Sequence, residues 1–141
     1  MELKEGMFIR FKDKQGIEYI RKIKNIYLPE DISYRYGEIK IDKFNHNTNV
    51  VSRKNILKAS NNIIDLIEVG DYVNGYYIED IEEVGYEYDN GFKANERVLR
   101  TNIIEFDNIY PIGRKGIRQN EIKSIVTKEQ FSAMEYKLGD E

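Results

Sequence analysis

Residues 5–10 read Glu5-Gly6-Met7-Phe8-Ile9-Arg10, and residues 69–74 read Val69-Gly70-Asp71-Tyr72-Val73-Asn74. Both stretches place a glycine, an aromatic residue and a β-branched residue at the same positions, 64 residues apart (Glu5 to Val69). A second match, 65 residues apart (Arg53 to Arg118), aligns Arg53-Lys54-Asn55-Ile56-Leu57-Lys58-Ala59 with Arg118-Gln119-Asn120-Glu121-Ile122-Lys123-Ser124. Because two separate matches have nearly the same spacing, we predict an internal repeat of one small module.

The pattern inside each half of the chain is typical of β-strands. Apolar and polar residues alternate over residues 16–23 and 37–42, which is the period of a half-buried strand. Residues 76–81 and 98–106 are rich in β-branched and aromatic residues, which favour strands. Between them, Asp89-Asn90-Gly91 is a strong turn signal.

We therefore predict a mainly β protein built from two tandem, small Src-homology-3-like (SH3-like) barrel modules with one short C-terminal helix. The N-terminal β-barrel module spans residues 1–66, and the C-terminal module spans residues 67–141 with the terminal helix. The helix is predicted from Thr127-Lys128-Glu129-Gln130, which has the spacing of a capping box. A five-stranded oligonucleotide-binding barrel remains an alternative for each module, because the strand periodicity fits both.

Composition and the N-terminal sequence narrow the class of protein. Of 141 residues, 40% are hydrophobic and 33% are charged, which is typical of a globular chain. There is no cysteine, so neither a disulfide nor a thiolate metal site is available. The N-terminus lacks the apolar core of a signal peptide, and no stretch is long enough to span a membrane. We expect a cytoplasmic protein that does not bind membranes.

The residues needed for common catalytic sites are scarce. Zinc catalysis, a histidine general base and a Ser-His-Asp triad each need a histidine, and the chain has one, His46, in a polar stretch that we interpret as a loop. The segment Gly113-Arg114-Lys115-Gly116 is too short for a phosphate-binding loop, and we interpret it as a hairpin turn. We expect no catalytic residue, no metal and no cofactor, and predict that the protein is not an enzyme.

Acidic and tyrosine residues crowd residues 79–89. The candidate partner-binding residues there are Glu79, Asp80, Glu82, Glu83, Tyr86, Glu87, Tyr88 and Asp89. Such carboxylates suit an arginine-rich protein surface, an imitation of nucleic-acid phosphates, a magnesium site for a nuclease, or an ordinary solvated face. The magnesium site, which would depend on Glu82 and Glu83, is the weakest hypothesis because its ligands normally converge from separate elements.

Tyrosine is the other compositional outlier, with eleven residues and no tryptophan in the chain. Tyrosine combines a large contact area with a polar tip, so surface clusters of it favour interfaces. Tyr34, Arg35 and Tyr36 form the best aromatic and cationic candidate for contacting a partner or a base.

Residues 58–75 and 122–131 resemble small uncharacterised proteins of clostridial (Firmicutes) phages and prophages. The resemblance covers about a third of the chain. It implies a protein that lies in the host cell cytoplasm, and it assigns no activity to any residue. By analogy with compact phage accessory proteins, stoichiometric binding in counter-defence is the function that it implies.

Our functional interpretation is a non-enzymatic, phage-type accessory protein, most plausibly an anti-CRISPR-type inhibitor that binds a bacterial defence protein, such as a nuclease effector. One alternative is a sponge for a defence signalling nucleotide, gripped by Arg35, Arg97 and Arg100. Another is a nucleic-acid-binding adaptor that uses the basic N-terminal module, where Arg10, Arg21 and Lys22 belong to a basic stripe. The oligomeric state is left open by the sequence.

Overall fold

The computed structural model describes residues 2–26, 38–41 and 50–135. In these residues the protein is mainly β, with two antiparallel five-stranded sheets and one short α-helix. The mainly β class and the short C-terminal helix predicted from the sequence are confirmed. None of the helical segments in the described residues has the length and apolar character of a membrane-crossing helix.

Two compact units divide the chain. One consists of Met1–Leu66 with Glu129–Glu141, and the other of Ile67–Lys128. The terminal helix, which the sequence analysis assigned to the C-terminal module, therefore belongs to the first unit from Glu129 onward. Glu129 forms an ion pair with Arg10 of the first unit.

The described residues of the first unit form five strands in one sheet. They are β1 (Phe8–Lys12), β2 (Glu18–Ile26), β3 (Glu38–Ile41), β4 (Val50–Ser52) and β5 (Ile56–Ser60). Their order is β4-β3-β2-β1-β5, and a single 3-10 turn, Arg53–Asn55, connects β4 to β5. A second 3-10 turn, Ile63–Leu66, follows β5, and the chain then enters the second unit at Ile67.

The second unit repeats this arrangement. Its strands are β6 (Tyr72–Val73), β7 (Tyr76–Glu87), β8 (Lys93–Asp107), β9 (Tyr110–Arg118) and β10 (Ile125–Val126), and their order is β10-β6-β7-β8-β9. A 3-10 turn, Gln119–Glu121, again precedes the fifth strand. The helix α1 (Lys128–Met134) follows. Both sheets thus place the fifth strand beside the first.

The repeated glycines have the same structural role in both units. Gly6 and Gly70 have φ values of 89° and 101°, a left-handed conformation that favours glycine. Gly6 N–H donates to the carbonyl of Ile23 at 3.0 Å, and Gly70 N–H donates to the carbonyl of Ile78 at 2.9 Å. An irregularity in strand pairing follows directly after Ile23 in β2 and after Ile78 in β7. The repeat therefore includes a bulge as well as the strand order.

The spacing at the far end of the repeat is corrected by the structure. The 3-10 turns begin at Arg53 and Gln119, so they are 66 residues apart (Arg53 to Gln119) rather than the 65 predicted. Arg53 therefore corresponds to Gln119, and the sequence match with Arg118 is displaced by one residue. Loop lengths differ inside the two copies, so local identity alone did not fix the alignment.

Neither sheet closes into a barrel in the described ranges. Barrel closure requires hydrogen bonds between the two edge strands of a sheet. Those edges are β4 and β5 in the first sheet and β9 and β10 in the second, and no pairing joins them within the described residues. The structure supports the mainly β prediction at the level of sheets, but it does not confirm SH3-like barrels.

Each unit buries its own apolar residues. In the first, the core consists of Met7, Ile9, Phe11, Ile23, Ile39, Ile41 and Val51. In the second, Val73, Ile78, Leu99 and Ile117 are buried. The alternation predicted from the sequence accounts for these positions, because every second residue of a strand faces the same side.

Arg10 lies in β1 with its side chain fully buried. Its Nε donates to Glu18 at 2.6 Å, its Nη1 to the carbonyl of Leu66 at 3.0 Å, and its Nη2 to Glu129 at 3.2 Å. Arg10 was predicted to belong to a basic stripe available for binding, and this prediction was wrong because the side chain is buried. The charge is tolerated inside because carboxylates and a carbonyl surround it. It connects β1 to β2, to the 3-10 turn and to α1.

We predict that Arg10→Ala lowers the free energy of unfolding by about 3–5 kcal/mol, because it leaves two partly buried carboxylates without their cation. Guanidinium unfolding measures the change. Arg53→Ala, at an exposed arginine of the same unit, is the control and should change stability by less than about 0.5 kcal/mol. Equal losses in the two variants would contradict the structural role of Arg10.

Candidate functional site

The predicted acidic and tyrosine residues lie along one hairpin. Glu79, Asp80, Glu82, Glu83, Tyr86 and Glu87 belong to β7, and Tyr88 and Asp89 lie in the connection to β8. The other candidates, Tyr34, Arg35 and Tyr36, fall outside the described residues, as does His46. The hairpin spreads its carboxylates along a strand and does not gather them in one pocket.

Arginines of neighbouring strands neutralise much of this acidic segment. Three glutamates of β7 form ion pairs with β8 or β9: Glu79–Arg114 at 2.9 Å, Glu82–Arg100 at 3.1 Å and Glu83–Arg97 at 3.6 Å. The surface therefore alternates in charge and is not an acidic strip. The glutamate and arginine of each pair are distant in sequence, and the pairing of their strands brings them together.

One face of the second sheet collects three of the arginines. In the pairing of β8 with β9, Arg100 lies opposite Gly116, and Ile104 lies opposite Arg114. Arg114, Gly116 and Arg118 alternate along β9 and so point to one side. We call the side that carries Arg100, Arg114 and Arg118 the arginine face.

Arg97 points to the opposite side of β8. Arg97 pairs with Glu83 in the register of β7 and β8. Arg97 and Arg100 are three positions apart along the strand, and because successive side chains alternate, they face opposite sides. The nucleotide hypothesis used Arg97 and Arg100 together to grip the nucleotide. The alternation of side chains in β8 places the two arginines on opposite sides of the sheet instead. The same alternation places Glu82 and Glu83 on opposite sides, which separates the two carboxylates of the magnesium hypothesis.

A groove lies on the arginine face. Its volume is about 330 Å³, and it is lined by Val84, Tyr86, Val98, Arg100, Gly116 and Arg118. The two valines supply an apolar floor, and the two arginines supply charge. Among these residues, Tyr86 was a predicted partner-binding residue, and Arg100 was named in the nucleotide hypothesis. The other four were missed because the groove is assembled from three strands.

Tyr86 connects two charged residues at the groove. Its hydroxyl donates to Glu96 at 3.1 Å and accepts a hydrogen bond from Nη2 of Arg118 at 3.2 Å. Nε of Arg118 also lies 3.4 Å from Glu96. These contacts orient the tyrosine ring and the guanidinium as a unit.

Gly116 makes room for Arg100. A Cβ atom at Gly116 would lie 2.7 Å from Nη1 of Arg100 and 2.7 Å from Cγ1 of Val98. In the structure, Nη1 of Arg100 donates to the carbonyl of Arg114 at 3.3 Å. The guanidinium therefore lies close to the backbone of β9, where a larger residue than glycine would displace it.

The far end of the β8–β9 hairpin is apolar and exposed. We call residues 102–114 the arm, and its large apolar side chains are 45% to 80% exposed: Ile103, Ile104, Phe106, Ile109, Tyr110 and Ile112. The turn of this hairpin is at Asn108, whose φ is 56°, a conformation that asparagine tolerates. The predicted turn at residues 113–116 was wrong, since those residues belong to β9.

The basic residues of the first unit pack against aromatic rings. The guanidinium of Arg21 lies 5.5 Å from the ring centre of Tyr19, and Nζ of Lys22 lies 5.9 Å from that of Phe8. Burial lowers the pKa of Arg21, and burial followed by the charge of Asp13 raises the pKa of Tyr19. With Arg10 buried as well, the predicted basic stripe is smaller than its sequence suggests.

Comparison with known proteins gives no match to a family model, to a curated protein or to a solved structure. In the described ranges, no group of three or more histidine, cysteine or acidic residues is arranged to hold a metal ion.

We predict that Glu82→Gln and Glu96→Gln each change the free energy of unfolding by less than about 1 kcal/mol, because exposed ion pairs contribute little. Both glutamate side chains are more than a third exposed, at 47% for Glu82 and 36% for Glu96. Urea unfolding measures the effect. A loss several times larger would mean that the charge pairs of the arginine face hold the sheet together.

Proposed function

We propose that this chain is a non-enzymatic binding protein whose arm and β7–β8 hairpin tip contact a protein partner. The observation that carries the proposal is the exposure of six large apolar side chains on the arm. A concentration of exposed large apolar side chains on one hairpin is typical of interaction sites. An isolated two-stranded ribbon is also only marginally stable in water, so a bound partner would stabilise the arm.

Charged residues are interspersed with the apolar side chains of the arm and follow them along β9. Glu105 and Asp107 lie on β8, and Arg114 and Lys115 lie on β9. Protein interfaces combine apolar and charged side chains. The partner surface that fits is therefore largely apolar and carries charges of both signs.

The tip of the β7–β8 hairpin, at the opposite end of β8 from the arm, supplies a second element that is acidic and aromatic. The rings of Tyr88 and Phe92 are 5.8 Å apart, and both are exposed. Glu87 and Asp89 form no ion pair within the described part of the chain. These features support a partner with a basic surface, as a nucleic-acid-binding groove has.

The partner that we propose is a bacterial defence protein, such as a nuclease effector, which the chain would inhibit by stoichiometric binding in the cytoplasm. This class of partner rests on the resemblance to phage and prophage proteins that the sequence leads us to expect for residues 58–75 and 122–131. The acidic tip would then occupy a basic groove of the effector, and the arm would supply most of the contact area.

We also infer that each unit is a variant of the SH3-like module. Four strands follow one another in the sheet, a 3-10 turn comes next, and the fifth strand returns to pair with the first. This order in both units supports the inference. Such modules commonly present binding surfaces on their connections, which suits a long β8–β9 arm.

We predict that Ile109→Glu with Ile112→Glu abolishes partner capture from a clostridial lysate, because charged side chains cannot be buried in an apolar interface. Mass spectrometry identifies the captured protein, and calorimetry with the purified partner should show a loss of at least about 100-fold in affinity.

The matched control is Leu57→Glu with Val69→Glu, two exposed apolar residues outside the arm. This variant should capture the same partner as the unchanged chain. If both double variants bind equally well, the arm is not the interface. If the unchanged chain is a dimer and the arm variant a monomer, the arm binds a second copy and the proposal is wrong.

A further inference from the structure

The groove on the arginine face has unused hydrogen-bond donors. Arg100 donates through Nε to Glu82 and through Nη1 to the carbonyl of Arg114. Its Nη2 has no hydrogen-bond acceptor within the described residues. A guanidinium carries five N–H donors, so this side chain can bind a further acceptor without leaving its place.

Arg118 is in a similar state on the neighbouring strand. Its Nη2 donates to Tyr86, and its Nε faces Glu96. Its Nη1 has no acceptor in the part of the chain that the structure describes. Arg100 and Arg118 both line the same groove of about 330 Å³. Two cationic groups with donors to spare therefore open onto one cavity.

We propose that this groove binds a nucleotide, with its phosphate on Arg100 and Arg118 and its base against Tyr86 and the apolar floor. The cavity volume lies at the lower end of the range for small-molecule sites, about 300–1,000 Å³. A phosphate presents three oxygens in different directions and serves two guanidinium groups, whereas a planar carboxylate matches one. The valine floor and the tyrosine ring suit the flat base.

The two glutamates at the groove compete with the phosphate. Glu82 and Glu96 each pair with one of the arginines, so the charges at the groove nearly cancel. Because these pairs are exposed, they are weak enough to separate when a stronger acceptor arrives. Replacing both carboxylates by amides therefore strengthens nucleotide binding, which is the opposite of what a purely structural role for the pairs implies.

The test is an NMR titration of the purified chain with adenosine monophosphate, guanosine monophosphate and inorganic phosphate. We expect at least one nucleotide to bind with a Kd below about 1 mM and inorganic phosphate to bind at least about 10-fold more weakly. Arg100→Gln and Arg118→Gln should each weaken nucleotide binding by about 10-fold or more. Glu82→Gln with Glu96→Gln should strengthen it.

Two further variants separate site geometry from overall charge. Arg97→Gln removes the same charge from the other side of β8 and should leave the Kd unchanged. Gly116→Ala keeps every charge but displaces Arg100, so it should weaken binding. The proposal is overturned if Arg97→Gln weakens binding as much as Arg100→Gln, if the glutamate double variant binds more weakly, or if neither it nor the unchanged chain binds a nucleotide.

Nucleotide binding does not depend on the arm. The double variant Ile109→Glu with Ile112→Glu should bind nucleotide as the unchanged chain does. If the chain binds nucleotide but captures no partner, the nucleotide site is supported and the protein interface is contradicted. If it captures a partner but binds no nucleotide, the reverse holds.

Discussion

Burial of Leu99 fixes the register of the second sheet. Leu99 is fully buried and lies between Ile81 of β7 and Ile117 of β9. Because successive side chains of a strand point to opposite sides, its burial obliges Val98 and Arg100 to lie on the other face. A shift of one residue would bury Arg100 and expose Leu99. The arginine face, its groove and its ion pairs all depend on this register.

Two kinds of charge pair occur in the molecule, and they differ in energy. The buried pairs of Arg10 hold a charge that water cannot reach, so removing the cation or a carboxylate leaves a large uncompensated cost. The pairs of Arg100 and Arg118 are exposed, and each contributes at most about 1 kcal/mol. The first kind is suited to stabilise the fold. The second kind exchanges partners readily, which suits a binding surface.

Much of the fold could be predicted from particular residues. Gly6 and Gly70 mark the start of each copy, because both need a left-handed backbone. The alternation of apolar and polar residues predicted the strands. The capping-box signal at Thr127 predicted the start of α1, which begins at Lys128. The turn of the last hairpin was misplaced at residues 113–116, because its glycines are a local turn signal. In the structure they lie in β9, where Gly116 accommodates Arg100.

The candidate site was predicted only in part, through Tyr86, the glutamates of β7 and, in the nucleotide hypothesis, Arg100. The sequence by itself determined the strand class, the repeat and the density of acidic and aromatic residues, since these depend on local preference and periodicity. Only the tertiary structure decided that Arg100 and Arg118 share a groove, that Arg10 is buried and that the arm is exposed. Each of these features depends on contacts between segments that are distant in sequence. The local sequence does not determine which residues such contacts bring together.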